Sequence, residues 1–162
     1  MYSEVTAERI QIKEELTKEE VNELVNNKDL KVIQFSEEVE KSTFHLLNDI
    51  LFARRSDVVL RVYGFYSKEC DLSFLSKLPN VTRFYADCLQ NVRNLDAILN
   101  LKKLVELNLD IFKLDTLEIL SKVPGSLEVI MLGQTKSKKP DLAVLERFTN
   151  LKKLYIEGHK KI

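Results

Sequence analysis

The sequence predicts an α/β fold: a right-handed solenoid with a parallel β-sheet of about six to seven strands on its concave face and helices or 3-10 turns on its convex face. Three observations carry this expectation. Apolar residues recur in copies spaced by 23 residues, as Leu72, Leu75, Leu78, Val81, Phe84 and Ala86 become Leu95, Ile98, Leu101, Leu104, Leu107 and Leu109. Each copy ends in an alternating apolar–polar–apolar run, the signature of a short half-buried strand. Each copy begins with apolar steps of three, which suit a helix or a 3-10 turn.

Taken in chain order, Ala7, Ile10 and Ile12 resemble the strand part of a degenerate first copy. Thr17-x-x-Glu20 then fits a capping box and opens a helix. Val21, Leu24, Asn27, Leu30, Ile33 and Phe35 follow the repeat with one polar substitution. The next copy is enlarged. Between 37 and 55, Val39, Thr43, Leu46, Leu47, Ile50 and Leu51 recur at helical spacing, with Ser36 as the expected N-cap and Glu37 and Glu38 in the first turn. Its strand lies within 58–63, in a register that leaves two options: Leu60 and Val62 face the core, or Val62 and Gly64 do.

From there the copies are regular. The third starts at Leu117, Leu120 and Val123 and needs one extra residue at Pro124-Gly125-Ser126 before Leu127, Ile130 and Leu132. Turn residues at the insertion are what a solenoid tolerates. The last copy is Leu142, Leu145, Phe148, Leu151, Leu154 and Ile156. Asp115-x-x-Glu118 is a looser capping box, and Pro140 before Asp141 suits a helix start. One domain is expected over 1–162, divided into N-terminal capping or degenerate repeats (1–36), the enlarged helical repeat (37–65) and regular repeats (66–162). No unit buries its apolar face alone, so stability must come from stacking.

This pattern, seen for instance in Leu151-Lys152-Lys153-Leu154-Tyr155-Ile156, resembles the leucine-rich-repeat family. The likeness is to the 22–23-residue class of phosphatase regulators and many bacterial proteins, and it covers roughly 7–160. It departs at one position. Where the family places an Asn three residues after the last strand leucine, this chain has Glu38, Leu89, Phe112, Thr135 and His159. Strand exits packed by apolar contacts are therefore expected in place of an amide ladder.

Composition excludes several functions. With 25 basic and 25 acidic residues the chain lacks the basic surplus of a nucleic-acid binder. The charge is uneven: residues 1–40 are glutamate-rich, and the stretch from Lys136 onward is lysine-rich. That distribution suits two solvated ends of an elongated molecule, or an end-to-end electrostatic contact. Cys70 and Cys88 form no metal-binding pattern, and the start at Met1 is polar and acidic, so a secretory leader is not expected. Free thiols and a cytoplasmic location are expected, and no apolar run approaches the ~20 residues that cross a bilayer. No phosphate loop, HExxH, CxxC or Gly-x-Ser-x-Gly motif occurs. His45 and His159 are far apart and are assigned to the surface or to structure. No catalytic, cofactor or metal site is expected, so the chain is not expected to be an enzyme. The Lys136-Ser137-Lys138-Lys139 cluster is expected to be a solvated loop before the last helix, or else a salt-sensitive contact to a phosphate or an acidic partner.

Residues that alternate with the strand leucines must point away from the core. In the central row these are Gln11, Gln34, Arg61 or Tyr63, Tyr85, Asn108, Met131 and Tyr155. The flanking rows contribute Arg83, Glu106, Val129 and Lys153 on one side and Asp87 and Asp110 on the other. A protein-binding concave face made of Arg61, Tyr63, Arg83, Tyr85, Asp87, Glu106, Asn108, Val129, Met131, Lys153 and Tyr155 is expected, since aromatics, Met and Arg are enriched at interfaces. The role would be that of a recognition module, inhibitor, immunity protein or adaptor. Two alternatives stand beside it. One is a structural segment that self-associates through its last strand, 154–156, which no amphipathic cap follows. The other, by family analogy alone, is a regulatory subunit of an enzyme.

Overall fold

The computed structural model describes residues 1–65, 68–133, 135–136 and 141–157. The strands are β1 (Tyr2–Thr6), β2 (Arg9–Ile12), β3 (Val32–Phe35), β4 (Val59–Tyr63), β5 (Cys70–Asp71), β6 (Arg83–Leu89), β7 (Val92–Arg93), β8 (Glu106–Ile111), β9 (Val129–Leu132) and β10 (Lys153–Ile156). Eight of them form one sheet in the order β1-β2-β3-β4-β6-β8-β9-β10. From β2 onward every pairing in it is parallel, each strand delivered by one copy of the repeat. The expected solenoid of leucine-rich units is what forms. β1 is an addition: it turns back and pairs antiparallel with β2, so Ala7 lies in an exposed hairpin bend and not in a strand. A short parallel ladder joins β5 to β7.

The opposite side of each unit is helical. Helix α1 (Lys18–Asn26) has the capping box complete: Glu20 N–H donates to Thr17 Oγ1 at 3.2 Å, and Thr17 N–H to Glu20 Oε2 at 2.8 Å. Four 3-10 turns follow in the later copies, at Leu72–Lys77, Leu95–Asn100, Glu118–Ser121 and Ala143–Arg147. A three-residue turn keeps residues three apart on one face, so the apolar steps of three in these four copies fit 3-10 geometry. Glu118 begins its turn behind Leu117, without a capping box from Asp115; Thr116 Oγ1 instead accepts from Glu118 N–H at 3.4 Å. Pro140 lies outside the described residues.

The enlarged copy differs from expectation at its start. Helix α2 (Lys41–Leu46) begins behind Glu40, and Ser36 is not its cap. Val39 packs against the core and draws the chain inward before the helix can begin. Buried Thr43 then accepts from Leu16 N–H at 3.0 Å, which ties α2 to the first copy. A π-helical turn, Leu47–Phe52, continues α2 and buries Leu47, Asn48, Leu51 and Phe52 together. Asn48 Oδ1 accepts from Asn80 N–H at 3.0 Å, which anchors the next copy. The space opened by this larger unit is filled by Phe35, Phe44 and Phe74, with ring centroids 4.9 to 5.7 Å apart.

The ambiguous register resolves by pairing: Leu60 and Val62 are fully buried, and Arg61 lies between Gln34 and Tyr85. The core is one continuous cluster from Ile10 to Phe148. Strand exits are only partly apolar. Leu89 is buried as expected, but Phe112 is 43% exposed and Glu38 faces solvent. Main-chain bonds join successive exits instead, with Phe112 N–H donating to Leu89 O at 2.8 Å and Lys136 N–H to Phe112 O at 2.7 Å. His159 lies outside the described residues, and His45 is exposed on α2. Among the described residues, no helix is long and apolar enough to cross a membrane.

Candidate functional site

The open face of the sheet carries the central row in the predicted order. Cross-strand neighbours run Gln11 to Gln34, Gln34 to Arg61, Arg61 to Tyr85, Tyr85 to Asn108, Asn108 to Met131 and Met131 to Tyr155. The flanking row Arg83, Glu106, Val129 and Lys153 is likewise continuous, and Tyr63 lies beside Asp87.

The two halves of this face differ in chemistry. In the N-terminal half the side chains bond to one another. Gln34 donates through Nε2 to Gln11 Oε1 at 3.0 Å and accepts from the Arg61 guanidinium at 2.6 Å. Arg61 also pairs with Asp87 at 2.6 Å. Tyr63 folds back across two strands: its hydroxyl donates to Gln11 Oε1 at 2.9 Å, and its ring lies 4.5 Å from the Arg61 guanidinium carbon. Gln34, though on the open face, is therefore only 3% exposed.

Next along the sheet, Glu106 accepts from both the Arg83 guanidinium and the Tyr85 hydroxyl. Glu106 is 9% exposed, so its carboxylate is committed to its neighbours and not displayed. Burial, and then the hydrogen bond to this carboxylate, push the Tyr85 phenol well above its ordinary value.

The C-terminal half is open. Asn108, Val129 and Met131 are half-buried, and Lys153 and Tyr155 are exposed. None of these five has a side-chain hydrogen bond or ion pair among the described residues. A depression of about 180 Å³ lies between Asp87, Asn108, Asp110, Met131, Tyr155 and Glu157. Its carboxylates collect at the strand exits, where β6 bulges. Ala86 pairs with Leu109 but Leu89 pairs with Ile111, so Cys88 is the extra residue, held at φ 52. Asp110 Oδ2 accepts from Cys88 N–H at 3.1 Å. The close approach is possible because residue 133 is glycine: a Cβ there would stand 2.0 Å from Asp110 Oδ1.

Asp87, Cys88 and Asp110 place their donor atoms within 4.8 Å of one another. Burial and the two carboxylates push the Cys88 thiol up to about 11. Sequence patterning missed this grouping, because it depends on a bulge that strand periodicity does not announce. Cys70, buried in the core, is pushed up to about 12, chiefly by desolvation. Of the lysine cluster, Lys136 pairs with Asp115 at 2.8 Å, and residues 137–139 lie outside the described residues.

No family model matches the sequence, and no curated protein matches it. Among solved structures the chain is similar to internalin C2 from Listeria monocytogenes, with TM-score 0.52 and 14% identity. That likeness covers 96% of this chain and 64% of the internalin C2 chain. It is also similar to a second Listeria monocytogenes internalin, with TM-score 0.47 and 19% identity over 87% of this chain and 44% of that one. Internalins are leucine-rich-repeat proteins, and at 14% identity the first likeness shows the fold.

Proposed function

We propose that this chain is a non-enzymatic protein-interaction module that recognises its partner through the open face of the sheet, centred on β8, β9 and β10. One observation carries the reading. Asn108, Met131 and Tyr155 stand in register on adjacent strands with no side-chain hydrogen bond or ion pair among the described residues, whereas the polar side chains before them bond to one another. A pre-bonded N-terminal half supplies a rigid frame at low entropic cost, and Val129, Met131 and Tyr155 in the C-terminal half supply contact area. The fold supports the same reading, because internalin-like leucine-rich-repeat scaffolds suit protein recognition. Asp110 and Glu157 beside Met131 favour a partner segment that carries a basic side chain next to an apolar one. A recognition or adaptor role fits this face best. The unpaired thiols Cys70 and Cys88 support a reducing, cytoplasmic setting.

The test is affinity capture from the native source with three baits: wild type, the Asn108→Arg/Met131→Glu double variant, and Lys77→Glu on the helical side. A partner retained by wild type and by Lys77→Glu, but lost from the double variant with its fold intact, supports the open face. Equal retention by all three would move the interface elsewhere.

A further inference from the structure

Among the described residues β10 ends the sheet, and it exposes the core-side positions that β2, β3, β4, β6, β8 and β9 bury. Leu154 is 43% and Ile156 38% exposed, whereas their counterparts Ile130 and Leu132 on β9, and Leu107 and Leu109 on β8, are buried. Apolar side chains left on an unpaired edge favour association. The backbone of β10 has a defined polarity as well. Lys153 N–H donates to Glu128 O at 3.1 Å and Glu157 N–H to Leu132 O at 2.9 Å, so odd-numbered residues bond inward to β9. Bonding in a parallel ladder alternates residue by residue, so Leu154 and Ile156 direct their N–H and C=O groups outward. The opposite edge is protected: β1 is interrupted by a bulge between Glu4 and Thr6 and carries Glu4 itself.

We propose that β10 pairs antiparallel with β10 of a second copy of this chain, about a two-fold axis at Tyr155. Three features fit this register, and the apolar matching and the charge pairs select it. It sets Leu154 opposite Ile156 of the second copy, and the reverse, so all the outward backbone groups of 154 and 156 find partners. It keeps the core side of both sheets on one side, because opposed residues in an antiparallel pair share a face. It also sets Lys153 opposite Glu157 of the second copy twice by symmetry, and both residues are exposed and unpaired within the chain among the described residues. Centring the axis on Leu154 or Ile156 loses both charge pairs and leaves an apolar residue unmatched. The segment Lys153-Leu154-Tyr155-Ile156-Glu157 is thus complementary to itself, in apolar contact, hydrogen bonding and charge. This inference does not rest on the open-face reading.

Sedimentation velocity from low micromolar to several hundred micromolar protein tests it. The mass should rise from one chain to two and stop there, because a two-fold contact closes on itself. Lys153→Glu and Glu157→Lys should each weaken the dimer about tenfold, through two lost pairs and two like-charge contacts. An equimolar mixture of those two variants restores both pairs and should dimerise as wild type does. Ile156→Pro removes an N–H that no intramolecular bond uses and should abolish the dimer, with circular dichroism unchanged. A monomer at every concentration would overturn the proposal. So would association that Ile156→Pro leaves intact, a mixture no stronger than either variant alone, or growth beyond two chains.

Discussion

Glu106 is the residue on which the middle of the open face turns. Its buried carboxylate holds the Arg83 guanidinium and the Tyr85 hydroxyl at once. Glu106→Gln keeps an acceptor for Tyr85 but leaves Arg83 without its counter-charge. Arg83 is 37% exposed, which places the cost toward the lower end for broken ion pairs, at about 1–3 kcal/mol by denaturant midpoint. The same variant removes a negative charge that opposes phenolate formation, so Tyr85 should ionise at lower pH in an absorbance titration. Gly133→Ala tests a steric requirement: the new methyl must displace Asp110 from over the strand and loosen its bond to Cys88, at about 1–3 kcal/mol. Asp71 tests a charge. Hydrogen bonds from Asn94 and from Ser73 N–H lower it from 3.8 to about 2. A carboxyl lowered on folding stabilises above its unfolded value and loses that effect as pH falls through its folded value. Asp71→Asn should therefore be less stable than wild type at neutral pH, and the gap should close between about pH 4 and pH 2. The row of outward residues was legible from period 2 alone. The bonds among them were not, because Gln34 to Arg61 and Arg61 to Asp87 span unequal loops, and reach across strands depends on register and bulges together.

Among the elements, two arginines do the same work from different copies. Arg55 donates to Val25 O, Asn27 O and Leu30 O at 3.3, 2.8 and 2.8 Å, closing the C-terminal end of α1 from the copy that follows it. Arg147 donates to Leu120 O and Val123 O at 2.8 and 2.7 Å in the same manner. Helix ends leave carbonyls unpaired, and a planar guanidinium can reach several at once. Arg55→Ala should cost about 2–3 kcal/mol, and Arg55→Lys should recover less than half, since an ammonium on a flexible stem cannot hold three divergent acceptors. Parallel thermal melts of the two variants check this. Asn27, the one polar residue in its repeat, is accounted for here: it is the C-cap of α1, and its carbonyl is one of the three. The regular elements were legible because leucine spacing dictates what is buried. The start of α2 was not, because Ser36 and its glutamates satisfy a capping rule while the inward pull of Val39 decides the backbone. β1 was missed for a related reason: a bulged antiparallel strand with Glu4 and Thr6 leaves no clean alternation to count.

Across the whole molecule, units pack chiefly on their neighbours, with Tyr63 to Gln11 and Phe35 to Phe74 reaching one unit further, so stability is largely a sum of local interfaces. Strands flanked on both sides by well-buried copies should open least. β4, β6 and β8 have fully or almost fully buried core side chains and neighbours on each edge, while every residue of β10 is exposed. Amide hydrogen exchange should follow this gradient, slowest in β4, β6 and β8 and fastest at β10. The N-terminal edge should be intermediate, since β1 covers β2 and the N-H of Lys13 and Glu14 donate back to Met1 O at 3.3 and 3.2 Å. Leu107→Ala, in the middle of the gradient, should cost about 2–5 kcal/mol and raise exchange in β6 and β9 as well as in β8, because an interface term is shared by both partners. The gradient also responds to concentration in a way that separates the chain's own stability from its association. Leu154 and Ile156 amides point outward without a partner among the described residues, so dimerisation through β10 should slow their exchange as protein concentration rises. Amides of β4, with neighbours on both edges, should not change. Slowing spread evenly over all strands would instead mean that the gradient reflects global opening and not the edge.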